Sequence, residues 1–126
     1  TSLAVLYCYN NPLTGLDVSG CTSLYSLSYC DLYNRDNYYN HLLTSLNVSG
    51  CTSLKELYIR SNQLKSLDAN GCTSLVLLIC DDGQLTTFDL SGCTSLKTIS
   101  CPNNQLVTLD LNSLTSLEEF NCSNNH

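Results

Sequence analysis

The stretch LKELYIRSNQLKSLDANGCTS at residues 54–74 is followed at once by LVLLICDDGQLTTFDLSGCTS at residues 75–95. Both segments have 21 residues, open with L-x-x-L-x-[CI] and close with G-C-T-S. A fixed period of about 20 to 50 residues is the signature of a repeat architecture, in which each unit buries its apolar side against the next. The fold is therefore decided by this unit and by the way its copies stack.

Copies of the unit extend over the whole chain of 126 residues. We expect a single domain, 1–126, without polar caps at either end. A nine-residue insertion is expected within the stretch 31–42, because the second unit has 30 residues instead of 21. The units occupy residues 3–23, 24–53, 54–74, 75–95 and 96–116, with a partial unit at 117–126.

Composition and charge exclude several classes of function. The formal net charge is −6, whereas a protein that binds nucleic acid needs a basic surface. No apolar run approaches the roughly 20 residues of a membrane-spanning helix, so membrane insertion is not expected. Only 13% of residues are charged, but 17 Ser, 14 Asn and 12 Thr accompany the 25 Leu. The repeat template itself therefore provides the polar surface.

The first phrase of the unit predicts a short strand. Its apolar positions place Leu78 and Cys80 on one side of that strand. An Asn side chain after the strand can satisfy backbone groups where the chain turns inward. This position is occupied by Asn11, Asn62, Asn104 and Asn125.

The second phrase predicts a return segment that is extended or turned. Leu67, Ala69 and Cys72 alternate with polar residues and are expected to point inward. Glycine at positions 20, 50, 71 and 92 provides a tight corner. The segment is only about ten residues long and has no helical period. We therefore predict a solenoid with a parallel β-sheet on its concave face, nearly all-β, with little or no α-helix.

The phrase L-x-x-L-x-C-x-x-N, repeated along the chain, resembles the leucine-rich repeat family. The 21-residue unit with Cys in the strand is similar to the cysteine-ladder subclass of bacterial surface proteins. The resemblance implies a leucine-rich repeat solenoid that is secreted or located at the bacterial cell surface, with a role in adhesion or recognition. It is more specific for fold than for function, because such repeats bind many unrelated proteins.

Eight of the nine cysteines fall into two columns of the repeat. Ile59 replaces Cys in the first column and Leu114 replaces it in the second, which indicates small hydrophobic slots. In-register neighbours in a parallel sheet lie about 4.8 Å apart with side chains parallel, a poor geometry for a disulfide. We predict reduced core thiols rather than disulfides or a zinc ladder, and no metal or cofactor. The columns are Cys8, Cys80, Cys101 and Cys122, and Cys21, Cys51, Cys72 and Cys93.

Cys30 belongs to neither column. Leu24 and Leu27 set a frame that places Tyr29 in the cysteine slot. Either Tyr29 fills that slot and Cys30 faces outward, or a bulge restores Cys30 to the column. Because Tyr is bulky for a slot filled elsewhere by Cys or Ile, the bulge is the favoured interpretation.

Two regions depart from the template and are candidates for binding a protein partner. The insertion is rich in Tyr, Asn and Asp, a composition favoured in recognition loops, although its tyrosines could equally pack on the edge of the solenoid. The outward positions of the strands form the second region, with cross-strand packing as the alternative. The candidate partner-binding residues are Tyr7, Tyr9, Tyr33, Tyr38, Tyr39, Tyr58, Arg60, Ile79, Asp81 and Asp82.

No catalytic constellation is present in the sequence. His41 and His126 have no evident Ser or Cys partner, and Asp31, Asn34 and Asp36 do not follow the spacing of a calcium-binding loop. A recurring carboxylate on the return segment indicates a solvated ridge, at Asp17, Asp68, Asp89 and Asp110, with Asn47 in the same column. Two hypotheses remain: a protein-binding module, or a structural unit that self-associates by stacking.

Overall fold

The computed structural model describes residues 2–30, 42–60 and 63–126 of the chain. Within these ranges the chain forms ten β-strands and no helix. The strands are β1 Val5–Tyr7, β2 Gly15–Asp17, β3 Ser26–Ser28, β4 Ser45–Asn47, β5 Glu56–Arg60, β6 Ser66–Asp68, β7 Leu77–Asp81, β8 Thr87–Asp89, β9 Thr98–Ser100 and β10 Glu119–Asn121.

The strands form two parallel sheets, one on each side of the solenoid. The six-stranded sheet has the order β1-β3-β5-β7-β9-β10, and the four-stranded sheet has the order β2-β4-β6-β8. Every pairing joins equivalent positions of neighbouring units, as in Leu57 opposite Leu78 and Ile59 opposite Cys80. The predicted solenoid with a parallel sheet is confirmed.

The return segments do more than the sequence predicted. They are extended, as expected, but they also pair with one another in register, as in Leu46 opposite Leu67. A backbone N–H or C=O group that is removed from water needs a partner, and an in-register neighbour supplies one at every coil. The stacking that aligns the first strands therefore aligns the return segments as well.

The core lies between the two sheets and is built from columns of equivalent side chains. Leu54, Leu75 and Leu96 begin three successive units and are fully buried, as is Leu24. The return segment contributes Leu67, which is buried as predicted. One hydrophobic cluster connects the columns from the first unit to the fifth.

The turns follow the prediction made from Asn and Gly. The Asn104 side chain donates to the carbonyl oxygens of Cys80 at 2.8 Å, Cys101 at 3.2 Å and Pro102 at 3.1 Å. Its own oxygen accepts the backbone N–H of Leu85 at 3.0 Å. At the opposite corner Gly71 has a φ of 74°, a conformation that a side chain with Cβ adopts only with strain.

The bulge expected at Cys30 is wrong. Strand β3 pairs with β5 in unbroken register, and the N–H of Tyr29 continues the ladder to the carbonyl of Tyr58 at 2.9 Å. Tyr29 fills the cysteine slot and is 1% exposed. The slot accepts a ring here because the hydroxyl reaches backbone carbonyls of the first unit, those of Asn11 and Leu13, both at 3.2 Å.

Candidate partner-binding surface

The outward-pointing side chains of the six-stranded sheet form the surface called here the strand face. Strand register arranges it in columns of equivalent positions. The first column is Val5, Ser26, Glu56, Leu77, Thr98 and Glu119; the second is Tyr7, Ser28, Tyr58, Ile79, Ser100 and Asn121. Arg60 opposite Asp81 begins a third column, whose equivalent positions in the other units are Tyr9, Cys30, Pro102 and Ser123.

Aromatic side chains are concentrated at one end of the strand face. Tyr7 is 65% exposed, and its ring lies 6.5 Å from that of Tyr9, with the two planes tilted by 55°. Val5, Tyr9 and Tyr25 are also exposed. We call Val5, Tyr7, Tyr9 and Tyr58 the tyrosine patch; Tyr25 directly precedes β3 and lies outside the three columns.

Small residues lie between the tyrosines. Ser28 is placed between Tyr7 and Tyr58 by the strand register and is 1% exposed. Its hydroxyl donates to the carbonyl of Cys30 at 2.8 Å, so the buried group has a partner. Desolvation raises the pKa of Tyr58, and the nearby carboxyl of Glu56 raises it further. The tyrosine patch therefore combines exposed rings with the buried hydroxyl of Ser28, which already has a hydrogen-bond partner.

Arg60, Asp81 and Asp82 are brought together by the pairing of β5 with β7. The Arg60 guanidinium lies 3.8 Å from Asp81 and 3.3 Å from Asp82. Ser100 donates to Asp81 at 3.0 Å, and Asn103 donates to Asp82 at 2.6 Å. These predicted site residues thus form a polar network across three coils, which holds the Arg60 side chain in place on the strand face.

Ile79 lies next to Tyr58 in the neighbouring strand, with Ser100 on its other side. Ile79 is half-buried, so part of its side chain packs against the neighbouring strands and part stays accessible to a partner. Tyr33, Tyr38 and Tyr39 lie outside the described residues, as does the insertion they belong to apart from Leu42.

Sequence reasoning missed the first column of this surface, which includes Val5, Glu56 and Glu119. The column that begins with Val5 precedes the second Leu of the unit, whereas the outward positions had been counted only after it. Tyr25 and Lys55 directly precede β3 and β5, and the Lys55 ammonium lies 5.3 Å from the centre of the Tyr25 ring. The available signal was the alternation itself, because residues two positions before an outward residue in a strand also point outward.

The cysteine columns have a polar role as well as an apolar one. The thiols of Cys51, Cys72 and Cys93 donate to the carbonyls of Val18, Val48 and Ala69, at 3.2, 3.1 and 3.2 Å. Each bond joins one coil to the preceding coil. All nine cysteines are among the described residues, and none forms a disulfide. The predicted core position holds for six of the eight column cysteines, whereas Cys21 is half-buried and Cys122 is exposed at the last coil. Cys51, Cys72 and Cys93 therefore fill hydrophobic positions and also donate hydrogen bonds through their S–H groups.

Thiol labelling of the native protein is expected to be strongly selective. Cys122 is exposed and Cys21 is half-buried, whereas the other seven are buried. Burial raises the pKa of Cys72 to about 12 and that of Cys93 to about 11, so both lack the reactive thiolate at pH 8. A chromogenic disulfide reagent should label Cys122 first and Cys21 more slowly, and the remaining cysteines only after unfolding. Equal native reactivity of Cys72 and Cys122, read by peptide mass spectrometry, would contradict the packing.

Stability is expected to fall in alkaline solution for the same reason. The folded pKa values of Cys72 and Cys93 lie above the ordinary value of 9.0. Below pH 9 both states carry the proton; above it the unfolded chain loses protons that the folded chain retains, so stability decreases as pH rises. Thermal midpoints should drop between pH 9 and 11. The drop should be smaller in a Cys72→Val variant, and an identical drop in that variant would refute the assignment.

The recurring carboxylates of the return segment have a structural role. Asp17, Asp89 and Asp110 each accept the backbone N–H two residues later, at 2.9 Å in all three. The backbone N–H and then the hydroxyl of Ser19 lower the pKa of Asp17, and the hydroxyl and then the backbone N–H of Ser91 lower the pKa of Asp89. The column therefore supports the turn that precedes the glycine corner, in addition to being solvated as predicted.

In the part of the chain that the structure describes, no three His, Cys, Asp or Glu side chains are grouped as metal ligands. No helix suited to crossing a membrane occurs among residues 2–30, 42–60 and 63–126. No model of a known protein family matches the chain, and no curated protein is significantly similar to it.

Proposed function

We propose that this chain is a protein-binding module of the leucine-rich repeat type, and that its partner contacts the strand face. The observation that carries the proposal is the tyrosine patch, with Tyr7 and Tyr9 exposed by 65% and 40% at one end of the six-stranded sheet. Tyrosines are enriched at the energetic centres of protein interfaces, because a rigid ring gives contact area at a small cost in conformational entropy.

The arrangement of the patch supports recognition rather than folding. Apart from Tyr29, the core positions of this solenoid are filled by Leu, Ile, Val, Ala or Cys, and Ser occupies several outward positions without loss of register. Tyr7 contributes no backbone pairing that Ser would not also make. Its ring therefore adds exposed apolar surface that folding does not require. The resemblance to leucine-rich repeats supports a secreted or bacterial cell-surface setting for this module, acting in adhesion or recognition.

Partner capture tests the proposal. The chain and a Tyr7→Ser/Tyr58→Ser variant are immobilised, and the proteins retained from a cell-surface extract are compared by mass spectrometry. We expect at least one protein to be retained by the original chain and lost from the double variant, with direct binding of the purified protein at least tenfold weaker for the variant. Val107→Ser is the control, since Val107 is 72% exposed but lies outside the strand face.

Two outcomes oppose this function. Retention of the same proteins by the double variant and by the control would remove the tyrosine patch from the interface. Self-association, the alternative expected from the sequence, stays a prediction with its own measurement. Sedimentation velocity over a hundredfold range of concentration would show assemblies that grow with concentration, and a constant monomer would exclude stacking.

A further inference from the structure

The strand face carries an excess of negative charge. Glu56, Asp81 and Glu119 point outward from its strands, and Asp82 lies beside Asp81. Arg60 is the single cation in the three described columns, and it is already in contact with two of these carboxylates. A partner segment that carries acidic groups would meet repulsion here, whereas a basic segment would be attracted.

Glu56 is the carboxylate closest to the tyrosines in the register. Glu56 lies two residues before Tyr58 on the same side of β5. Tyr7 and Tyr58 belong to the second column, where Ser28 lies between them. Desolvation raises the pKa of Tyr58 most, and Glu56, Cys30 and Tyr7 raise it further in that order. The register thus brings two tyrosine side chains and one carboxylate to the same end of the strand face.

The chain already pairs an ammonium group with a tyrosine at this end of the sheet. The Lys55 ammonium lies 5.3 Å from the centre of the Tyr25 ring. A cation within about 6 Å of an aromatic ring is attracted to the negative face of that ring. A Lys or Arg side chain of a partner could make the same kind of contact with an exposed ring of the tyrosine patch.

The geometry points to a basic, extended peptide segment of the protein partner as the occupant of the strand face, with one Arg or Lys side chain held by Tyr7, Tyr58 and Glu56. This inference rests on the proposed function and assigns the chemistry of its partner. Six strands at a spacing of about 4.8 Å span roughly 24 Å, the length of about seven extended residues. A segment that starts at Tyr7 can therefore pass Glu56 and reach Asp81 as well.

Peptides of defined charge test the inference on the intact chain. One fluorescent nonapeptide alternates Arg with Ser, a second alternates Glu with Ser, and a third alternates Tyr with Ser; binding is followed by fluorescence anisotropy. We expect the Arg peptide to bind most tightly and to lose affinity as salt is raised, because exposed charges are screened. The Glu peptide should not bind.

Matched variants separate a specific site from general attraction. Glu56→Gln should lower the affinity for the Arg peptide by about three- to tenfold. Tyr7→Leu, which stays apolar but loses the ring, should lower it by about threefold. Glu119→Gln is the control, since it removes the same charge from the same column three strands away, and it should change the affinity by less than twofold. Circular dichroism verifies that each variant is folded.

The outcomes also separate this inference from the proposed function. Equal weakening by Glu56→Gln and Glu119→Gln would mean general charge attraction and would overturn the inference, as would the absence of Arg-peptide binding. Tight binding of the Tyr or Glu peptide that is lost in Tyr7→Ser/Tyr58→Ser would overturn the basic partner but retain the strand face as the binding surface. Failure of tyrosine-dependent partner capture, by contrast, would overturn the proposed function itself.

Discussion

Replacing Tyr29 by alanine is expected to lower the free energy of unfolding by about 3–5 kcal/mol, the range for deleting a buried ring. Tyr29 is 1% exposed and occupies a slot that other units fill with the much smaller Cys or Ile. Its hydroxyl also donates to the carbonyls of Asn11 and Leu13. The substitution would therefore leave a cavity and two carbonyl groups with one partner fewer. Urea unfolding followed by circular dichroism gives the measurement.

Two further variants separate the contributions of ring and hydroxyl. Tyr29→Phe keeps the ring and should cost about 1 kcal/mol, the usual net value of a hydrogen bond. Tyr29→Cys restores the residue of the repeat template and should still be clearly destabilising, because the surrounding coils are packed around a ring. If the Tyr29→Cys variant is as stable as the original chain, the neighbouring coils can pack around the smaller side chain without a cavity, which would contradict the expected loss.

Replacing Asn104 by alanine is expected to cost about 2–4 kcal/mol, because it leaves a buried N–H group and a buried carbonyl without their partner. The side chain is 6% exposed and bonds to the carbonyl of Cys80 in the preceding unit and to the N–H of Leu85. The same urea titration measures the loss. Asn104 thereby connects two coils at the point where the strand ends.

Asn125 provides the matched comparison for Asn104. Its side chain makes the equivalent bonds, to the carbonyls of Cys101 and Cys122 and from the N–H of Leu106. It is half-buried, so water can replace part of what is lost. We expect Asn125→Ala to cost about 1 kcal/mol. If both variants lose the same free energy of unfolding, burial does not determine how much the Asn side chain stabilises this turn.

The fold was predictable because the period fixes it. Once Leu54 and Leu75 are recognised as equivalent, strict stacking places every later position of the two units side by side. The bulge predicted at Cys30 was wrong. The prediction compared the size of Tyr29 only with the Cys and Ile residues at the equivalent position of other units. The structure shows that the ring extends toward the turn of the first unit, and that contact between units does not appear in the sequence of a single one.

The candidate site was only partly predictable, for a related reason. Alternation along the strands identified Tyr7, Tyr58 and Arg60 as outward residues, and the register brings Arg60 to Asp81. The Lys55 contact with Tyr25 and the bonds that occupy Asp82 depend on side-chain conformations, which a periodic pattern does not specify. Sequence therefore predicted which residues share a face, but not which of them are already engaged with one another.

The ladder of thiol-to-carbonyl bonds has a consequence for how order spreads through the chain. Cys72 and Cys93 each bond to a residue 24 positions earlier, and the turn of Asn104 likewise reaches one coil back. Interactions of this range couple a coil to its immediate neighbours and to nothing further away. Protection against hydrogen exchange should therefore grade along the solenoid axis, so that an inner coil is the last to open. The surface that carries the tyrosines lies at one end of that gradient.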